Sequence, residues 1–214
     1  MSDGDRTRVT IEPATVDDID SVTDMWVALA AGQRRYGSTL LADDNRGAVR
    51  EWAARAAVTG ELLVARETAA ADPGDGDTDD RGGAHDNSPA DPRDGDPIGF
   101  VGFGLDHGGY ERDRTRGVVS NLFVAPERRG EGVGTALLCA AEDALREAGA
   151  DAVALEALAD NERARAFYAD HGYEPHRVEL TKSLSADPDR TPTDSGRTPT
   201  DADGNETGTT DDPA

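Results

Sequence analysis

The chain has 214 residues, of which 36% are hydrophobic, a composition that suits one ordinary folded domain with additional polar segments. Its 44 acidic residues outnumber its 22 basic residues and give a net charge of −22, which argues against sequence-independent binding to nucleic acid, since such binding needs basic side chains. No apolar run reaches the length of a transmembrane helix and no signal-peptide core follows the first residue, so we expect a soluble, cytoplasmic protein with no membrane partner.

The basic and sulfur-containing residues narrow the class of protein further. Lys182 is the sole lysine, and every other basic residue is arginine. Adaptation to molar salt explains the acidic excess, because at about 1 M salt the Debye length falls to roughly 3 Å and self-repulsion is screened, so we interpret the composition as that of a halophile. Cys139 is the sole cysteine, which rules out an intramolecular disulfide, and we expect it to be a buried thiol on a helix. No cluster has the spacing of a metal site, so no metal is predicted.

Three segments have too few large apolar residues to fold. Residues 1–7 are expected to form a flexible N-terminus. Residues 68–97, rich in Asp, Gly, Pro and Ala, and residues 185–214 are predicted to be disordered acidic segments, because neither can bury enough apolar surface to offset its ordering entropy. One domain over residues 8–184, interrupted by the 68–97 insert, is therefore predicted.

Within that domain, strand patterns and helix patterns alternate. Thr15 to Asp18 forms a capping box ahead of apolar residues at helical spacing, and Gly60 and Gly149 stand where helices should end. The predicted elements are, in chain order, a strand at 8–14, helices beginning at 19 and near 49, strands at 61–67, 98–105 and 116–125, a helix from 135 to 148, a strand at 152–158, a helix at 161–170 and a strand at 177–183. Because three strands follow one another directly, we predict a mixed α/β sheet with helices on both faces rather than a doubly wound fold.

A glycine-rich stretch precedes the third predicted helix. Glu127–Leu138 reads ERRGEGVGTALL, with glycines at 130, 132 and 134. A helix that starts there directs unpaired N–H groups and the positive end of its dipole at whatever lies in front, and phosphate is a natural guest. The stretch is not a P-loop, which needs a lysine after its last glycine, nor a dinucleotide loop, which needs the spacing GxGxxG.

Two motifs together carry a family resemblance. One is R-x-x-G-x-G at Arg129–Gly134, and the other is LEALADNERARAFYADHGYEP at Leu155–Pro175, which holds N-x-x-A-x-x-F-Y and a glycine-aromatic turn. The pair resembles the GCN5-related N-acetyltransferases, the GNAT family. The resemblance implies a central, mostly antiparallel sheet with a V-shaped split and helices on both faces.

The same resemblance implies acetyl-CoA as co-substrate, held between the two central strands. In the family, backbone amides of the glycine loop hold the CoA pyrophosphate, and the pantetheine pairs with the fourth strand. Carried over to this sequence, the implied cofactor-binding residues are Leu122, Phe123, Val124, Arg129, Gly130, Glu131, Gly132, Val133, Gly134, Thr135, Asn161, Ala164 and Phe167.

The resemblance also suggests which residues carry the chemistry. Tyr168 matches the family's general acid, and a phenol of pKa about 10 can protonate a thiolate whose thiol has a pKa of about 8.5. Many members of the family carry, on the fourth strand, a glutamate that acts as the general base, where this chain has Ser120 and Asn121. Glu156 is the substitute, because it lies twelve residues before Tyr168, as does the base in the branch that acetylates protein N-termini. It is equally consistent with the sequence that Glu156 is a solvated surface residue without a catalytic role.

The acceptor is the least defined part of the reaction. In this family's fold the segment between the first two helices and the loop between the third and fourth strands select the substrate, and here they supply Arg34, Arg35, Tyr36 and Tyr110. We expect acetyl transfer to a primary amine of a small molecule, with a protein N-terminus or lysine as the alternative acceptor. A non-catalytic acyl-CoA-binding regulatory module is the alternative of another class, and the protein is expected to be a monomer or a homodimer.

Overall fold

The computed structural model describes residues 8–68, 95–108 and 112–184. The predicted flexible start, nearly all of the predicted insert and the whole predicted tail lie outside the described residues. The chain divides into two units, residues 1–174 and residues 175–214, and all helices and strands described below belong to the first.

The described residues of the first unit form five strands and four α-helices. Short 3₁₀ turns lie at Val16–Asp18, Arg34–Tyr36 and Pro126–Arg128. The helices and strands are, in chain order, β1 (Arg8–Pro13), α1 (Ile19–Gln33), α2 (Arg46–Thr59), β2 (Leu62–Thr68), β3 (Gly99–Leu105), β4 (Arg116–Val124), α3 (Val133–Glu147), β5 (Ala152–Leu155) and α4 (Glu162–Asp170).

The strands form one mixed sheet in the order β1-β2-β3-β4-β5. The first four pair antiparallel to their neighbours, and β5 lies parallel to β4. Strands β2 and β3 pair antiparallel, with Ala65 opposite Gly99, so the insert connects the two strands of a hairpin. The predicted mixed α/β fold is thereby confirmed.

Two apolar clusters lie on the two faces of the sheet. Val22 of α1, Ala53 of α2 and Phe100 of β3 belong to the first cluster, and all three are fully buried. Leu137 of α3 and Val101 of β3 belong to the second, with α4 packed against it through partly buried aromatic rings. Successive residues of β3 thus point to opposite faces of the sheet, as expected for a strand that is buried on both sides.

A buried ion pair joins β2 to the start of the chain. Arg66 contacts the carboxylate of Asp18 and donates from Nε to Glu12 Oε1 at 2.7 Å, and it also donates from Nη1 to the carbonyl of Gly95 at 2.5 Å. Asp18 also accepts from the backbone N–H and the hydroxyl of Thr15, which completes the predicted capping box. The guanidinium therefore links both flanks of the insert, at Arg66 and Gly95, to β1 and to the 3₁₀ turn that precedes α1.

Three expectations need correction. The predicted strand at 177–183 is assigned neither helix nor strand, and Val178 and Leu180 are 80% and 89% exposed, because an alternating pattern makes a strand only where a partner pairs with it. Cys139 is exposed rather than buried, since it lies on the outer side of α3. The third helix begins at Val133 rather than Thr135, so Gly134 is helical and the turn preceding α3 contains only Gly130 and Gly132.

Candidate active site

The sheet opens between β4 and β5. Their pairing runs from Arg116 opposite Ala152 to Val119 opposite Leu155, where β5 ends. β4 continues to Val124, and that second half is paired with β3 on one side but with no described strand on the other. An extended ligand could pair there as an additional strand, which is the V-shaped split that the resemblance implied.

The glycine turn ends in a helix N-terminus without a side-chain cap. Gly130 and Gly132 take φ values of +89° and +86°, and Gly132 is the N-cap of α3. The first helical hydrogen bond runs from Ala136 N to the Gly132 carbonyl, and no described side chain caps the helix. The N–H groups of the first turn are therefore available to an anion.

The two arginines of the turn differ in what they can do. Arg128 is paired with Glu67 and Glu131, so its charge is already compensated. Arg129 pairs with no carboxylate of the described chain; its Nε donates to the Val124 carbonyl at 2.9 Å, and its guanidinium lies 5.7 Å from the Phe123 ring centre. Burial lowers the pKa of Arg129, as do the nearby charges of Arg163 and Arg35. Positive charge from three elements thus collects beside the second half of β4.

Three elements meet at Gly134, in the first turn of α3. A Cβ on Gly134 would lie 3.6 Å from the Phe167 ring of α4 and 3.7 Å from Val124 Cγ2 of β4. Asn161 caps α4 by accepting from Ala164 N at 3.2 Å, as its motif predicts. The two motifs, some thirty residues apart in the sequence, are therefore in contact in the fold.

Tyr168 lies on α4, half-buried against the α3 side of the sheet. Its ring is edge-on to Phe167 at 5.3 Å and to Tyr173 at 5.8 Å between ring centres. Burial raises the pKa of the Tyr168 hydroxyl, which therefore stays protonated at neutral pH. The hydroxyl has no hydrogen-bond partner within the described chain, whereas that of Tyr173 donates to Glu142 at 2.8 Å.

His171 joins α4 to α3, and the sequence reasoning gave it no role. Its Nδ1 lies 2.7 Å from the Phe167 carbonyl and its Nε2 lies 3.1 Å from Thr135 Oγ1. The spacing of four residues from Phe167 is the one signal in the sequence that places this ring on the same helix face.

The position on β4 that lacks a carboxylate is occupied by a chain of hydrogen bonds. Trp26 Nε1 of α1 donates to Asn121 Oδ1 at 3.1 Å, and Asn121 Nδ2 donates to Ser120 Oγ at 3.3 Å. Ser120 Oγ donates to the Gly102 carbonyl at 3.2 Å, beside the register shift between β3 and β4. These side chains hold the strands and offer no base.

The remaining predicted residues make none of the hydrogen bonds or ring contacts described above. Glu156 follows β5, is exposed and makes no hydrogen bond or ion pair with any described residue. Arg34 donates to the Leu40 carbonyl, and Arg35 lies 5.0 Å above the Tyr36 ring in the turn after α1. Tyr110 lies outside the described residues. Among those that are described, no group of His, Cys, Asp or Glu side chains could hold a metal ion, and no helix is long and apolar enough to cross a membrane.

Comparison with known proteins agrees with this geometry. The profile of the acetyltransferase (GNAT) family matches residues 48–173, more than half of the chain. The chain belongs to this family. Its membership confirms the predicted fold and class of enzyme, an acyltransferase, and GNAT enzymes use acetyl-CoA.

Relatives of this GNAT protein act on different acceptors. An aminoalkylphosphonate N-acetyltransferase of Salmonella typhimurium is 31% identical over 96 residues, covering 43% of this chain and 59% of the relative. N-alpha-acetyltransferase 30 of Schizosaccharomyces pombe is 38% identical over 58 residues, covering 27% of this chain and 39% of the relative. The chain thus matches less than two thirds of either relative.

A solved structure shares the GNAT fold. The GCN5-related N-acetyltransferase from Ralstonia eutropha JMP134 superposes with a TM-score of 0.57 at 21% identity, covering 84% of this chain and 100% of that one.

Proposed function

We propose that the protein transfers the acetyl group of acetyl-CoA directly to a primary amine, with a small molecule as the acceptor. The observation that carries this proposal is the meeting of β4, α3 and α4 at Gly134. This contact supports the proposal, because a helix N-terminus that no described side chain caps, an open strand edge and the helix of a protonated tyrosine would border one cofactor cleft.

Each part of the cleft suits one part of acetyl-CoA. The diphosphate would be held by the first-turn N–H groups of α3, with Gly130 and Gly132 leaving space, and by the charge of Arg129. The pantetheine would lie along Leu122, Phe123 and Val124, where β4 has no described partner on its β5 side. Asn161, Ala164 and Phe167 would form the wall on the α4 side.

The reaction needs help for three groups. The lone pair of the neutral amine attacks the thioester carbonyl carbon, and an N–H of β4 near Val124 would stabilise the oxyanion. The carbon–sulfur bond then breaks, and the sulfur takes a proton from the Tyr168 hydroxyl, which burial keeps protonated. The amine's proton goes to Glu156 or to water, water returns a proton to the Tyr168 phenolate, and the products are an amide and the free thiol of CoA.

The acceptor class rests on relatives and on the turn after α1. The match to an aminoalkylphosphonate N-acetyltransferase supports a small amine, and Arg34, Arg35 and Tyr36 would face it. The match to an N-alpha-acetyltransferase, with the position of Glu156, supports a peptide N-terminus as the second candidate. A non-catalytic CoA-binding module would have no use for Tyr168.

The composition supports a setting for this activity. The 44 acidic residues against 22 basic residues support our inference of a halophilic enzyme. We further propose that it is cytoplasmic and acts as a monomer or homodimer. The assays below are therefore designed for molar salt.

An acetyl-transfer screen tests the proposal. The protein is incubated with acetyl-CoA and a panel of aminoalkylphosphonates, amino acids, polyamines and short peptides, and released thiol and acetylated product are measured. With the best acceptor, Tyr168→Phe should lower kcat about a hundredfold and leave the affinity for acetyl-CoA unchanged. Tyr173→Phe is the matched control, since its hydroxyl is bound to Glu142, and should keep kcat. Full turnover by Tyr168→Phe would show that this residue is not the acid, and a protein that does not bind acetyl-CoA would refute the proposal.

A further inference from the structure

His171 connects the two helices that border the proposed cleft. Its Nδ1 lies 2.7 Å from the Phe167 carbonyl, and its ring centre lies 4.4 Å from that of Phe167. On the other side its Nε2 lies 3.1 Å from the hydroxyl of Thr135, an exposed residue in the first turn of α3. The imidazole is thus fixed at both nitrogens.

The chemistry of these two contacts assigns the proton. A carbonyl oxygen can only accept, so Nδ1 must carry hydrogen. In the neutral ring Nε2 then has only a lone pair, and the hydroxyl of Thr135 must donate to it. When the ring is protonated, Nε2–H donates instead, and the hydroxyl hydrogen of Thr135 is released to another acceptor.

We propose that His171 is a positioning residue that sets the direction of the Thr135 hydroxyl, so that protonation of His171 strengthens the binding of a diphosphate at the N-terminus of α3. The inference rests on the proposed function, which puts the CoA diphosphate at that end of the helix. Thr135 is the third residue of α3, in the same turn as the uncapped N–H groups. With its hydroxyl turned toward His171 it cannot donate to a phosphate, and with His171 protonated it can.

Other titratable groups face the same ring. A cavity of about 290 Å³ is lined by His171, by Glu142 of α3 and by Tyr173 and Glu174 of the segment after α4. From β5 this cavity receives only the apolar Val153. Glu142 is held by the Tyr173 hydroxyl at 2.8 Å. All of these groups are retained in the variants below, so their contribution cancels in the comparison.

The probe must not titrate in the same range as histidine. Phosphate monoesters have a second pKa of about 6, so the 3′-phosphate of CoA would add its own pH dependence. The probe is therefore 3′-dephospho-CoA, which keeps the diphosphate and lacks the 3′-phosphate. Its dissociation constant is measured by calorimetry from pH 5.5 to pH 8 at fixed molar salt.

The unaltered protein should bind 3′-dephospho-CoA about threefold to tenfold more tightly at pH 5.5 than at pH 8, as one added hydrogen bond allows. His171→Gln should remove this pH dependence, Thr135→Val should remove most of it, and His176→Gln, a change at an exposed histidine, should retain it. Nitrogen NMR at pH 8 should show the hydrogen on Nδ1 of His171, a readout that does not depend on ligand.

The outcomes separate this inference from the proposed function. Binding with an unchanged pH dependence in His171→Gln, or hydrogen on Nε2 at pH 8, would overturn the role of His171 while leaving acetyl-CoA binding intact. A pH dependence that survives Thr135→Val in full would overturn the role of Thr135. Failure of the unaltered protein to bind either acetyl-CoA or 3′-dephospho-CoA at any pH would overturn both proposals.

Discussion

In the glycine turn, the stability cost of a left-handed backbone can be measured separately from a loss of affinity for acetyl-CoA. Gly132 has a φ of +86°, and a Cβ built on it meets no atom within 4 Å. An alanine there therefore clashes with nothing in the protein and pays only for its left-handed backbone, about 1–2 kcal/mol. For a domain of this size that corresponds to a decrease in Tm of about 2–8 °C.

Gly149, which follows the last turn of α3, is a matched control. Its φ is +88°, and a Cβ there also has nothing within 4 Å, so Gly149→Ala should lower the Tm by a similar amount. It lies at the opposite end of the helix from the turn. A difference between the two variants in ligand binding therefore cannot come from backbone strain.

The two variants should differ in their affinity for acetyl-CoA. The added methyl group of Gly132→Ala would occupy open space at the turn where we place the diphosphate. Losing one or two hydrogen bonds to a charged diphosphate costs about 1.5–3 kcal/mol each. We therefore expect the dissociation constant, measured by calorimetry in molar salt, to rise at least about tenfold for Gly132→Ala and to stay unchanged for Gly149→Ala. Equal affinities in the two variants would refute the assignment of the diphosphate to this turn.

Two further predictions concern stability. Asp18→Asn should lower the free energy of unfolding by about 3 kcal/mol, because it breaks a buried pair with Arg66, whereas Asp24→Asn, at an exposed pair, should change it little. Although burial raises the pKa of Asp18, hydrogen bonds from Thr15 and Arg66 lower it on balance, so this contribution is present above about pH 4 and is lost as pH falls through the lowered pKa. The difference in Tm between the unaltered protein and Asp18→Asn should therefore be constant above about pH 4 and should shrink as pH falls further. Burial and the hydrogen bond to Glu142 raise the pKa of Tyr173. The contribution of Tyr173 to the free energy of unfolding is therefore present below about pH 10 and is lost as pH rises further. Between pH 9 and pH 11, Tyr173→Phe should lose less stability than the unaltered protein, and an equal loss would contradict this origin.

The sequence predicted elements with strong local signals and missed what depends on distant partners. The capping box at Thr15, the helix cap at Asn161 and the termination at Gly149 all formed, because each depends on a few neighbouring residues. The strand predicted at 177–183 did not form, because alternation describes a face that needs a partner and does not supply one.

In the candidate site too, features that depend on neighbouring residues were predicted and contacts between distant residues were not. The glycine turn and the N-x-x-A-x-x-F-Y helix were predicted from spacing, and the fold brings them into contact at Gly134. The pairing of His171 with Thr135 spans 36 residues, and that of Trp26 with Asn121 spans 95, so no local pattern could indicate either. Nor could the sequence tell Arg128, which is paired with Glu67, from Arg129, which is not.

The role of Glu156 can be decided by the pH dependence of a single variant. Asn121, which accepts from Trp26, carries an amide that is too weak a base to take the amine's proton, so in our proposal deprotonation falls to Glu156 or to water. If Glu156 is the base, Glu156→Gln should lower kcat/KM about a hundredfold at pH 7, where most of a primary amine is protonated. The loss should shrink as pH rises above the amine's own pKa, because free amine then enters the cleft without needing a base. Glu162→Gln, at an exposed carboxylate in the first turn of α4, is the control for lost surface charge. A profile for Glu156→Gln that matches this control at every pH would assign the proton to water and leave Glu156 as a solvated side chain.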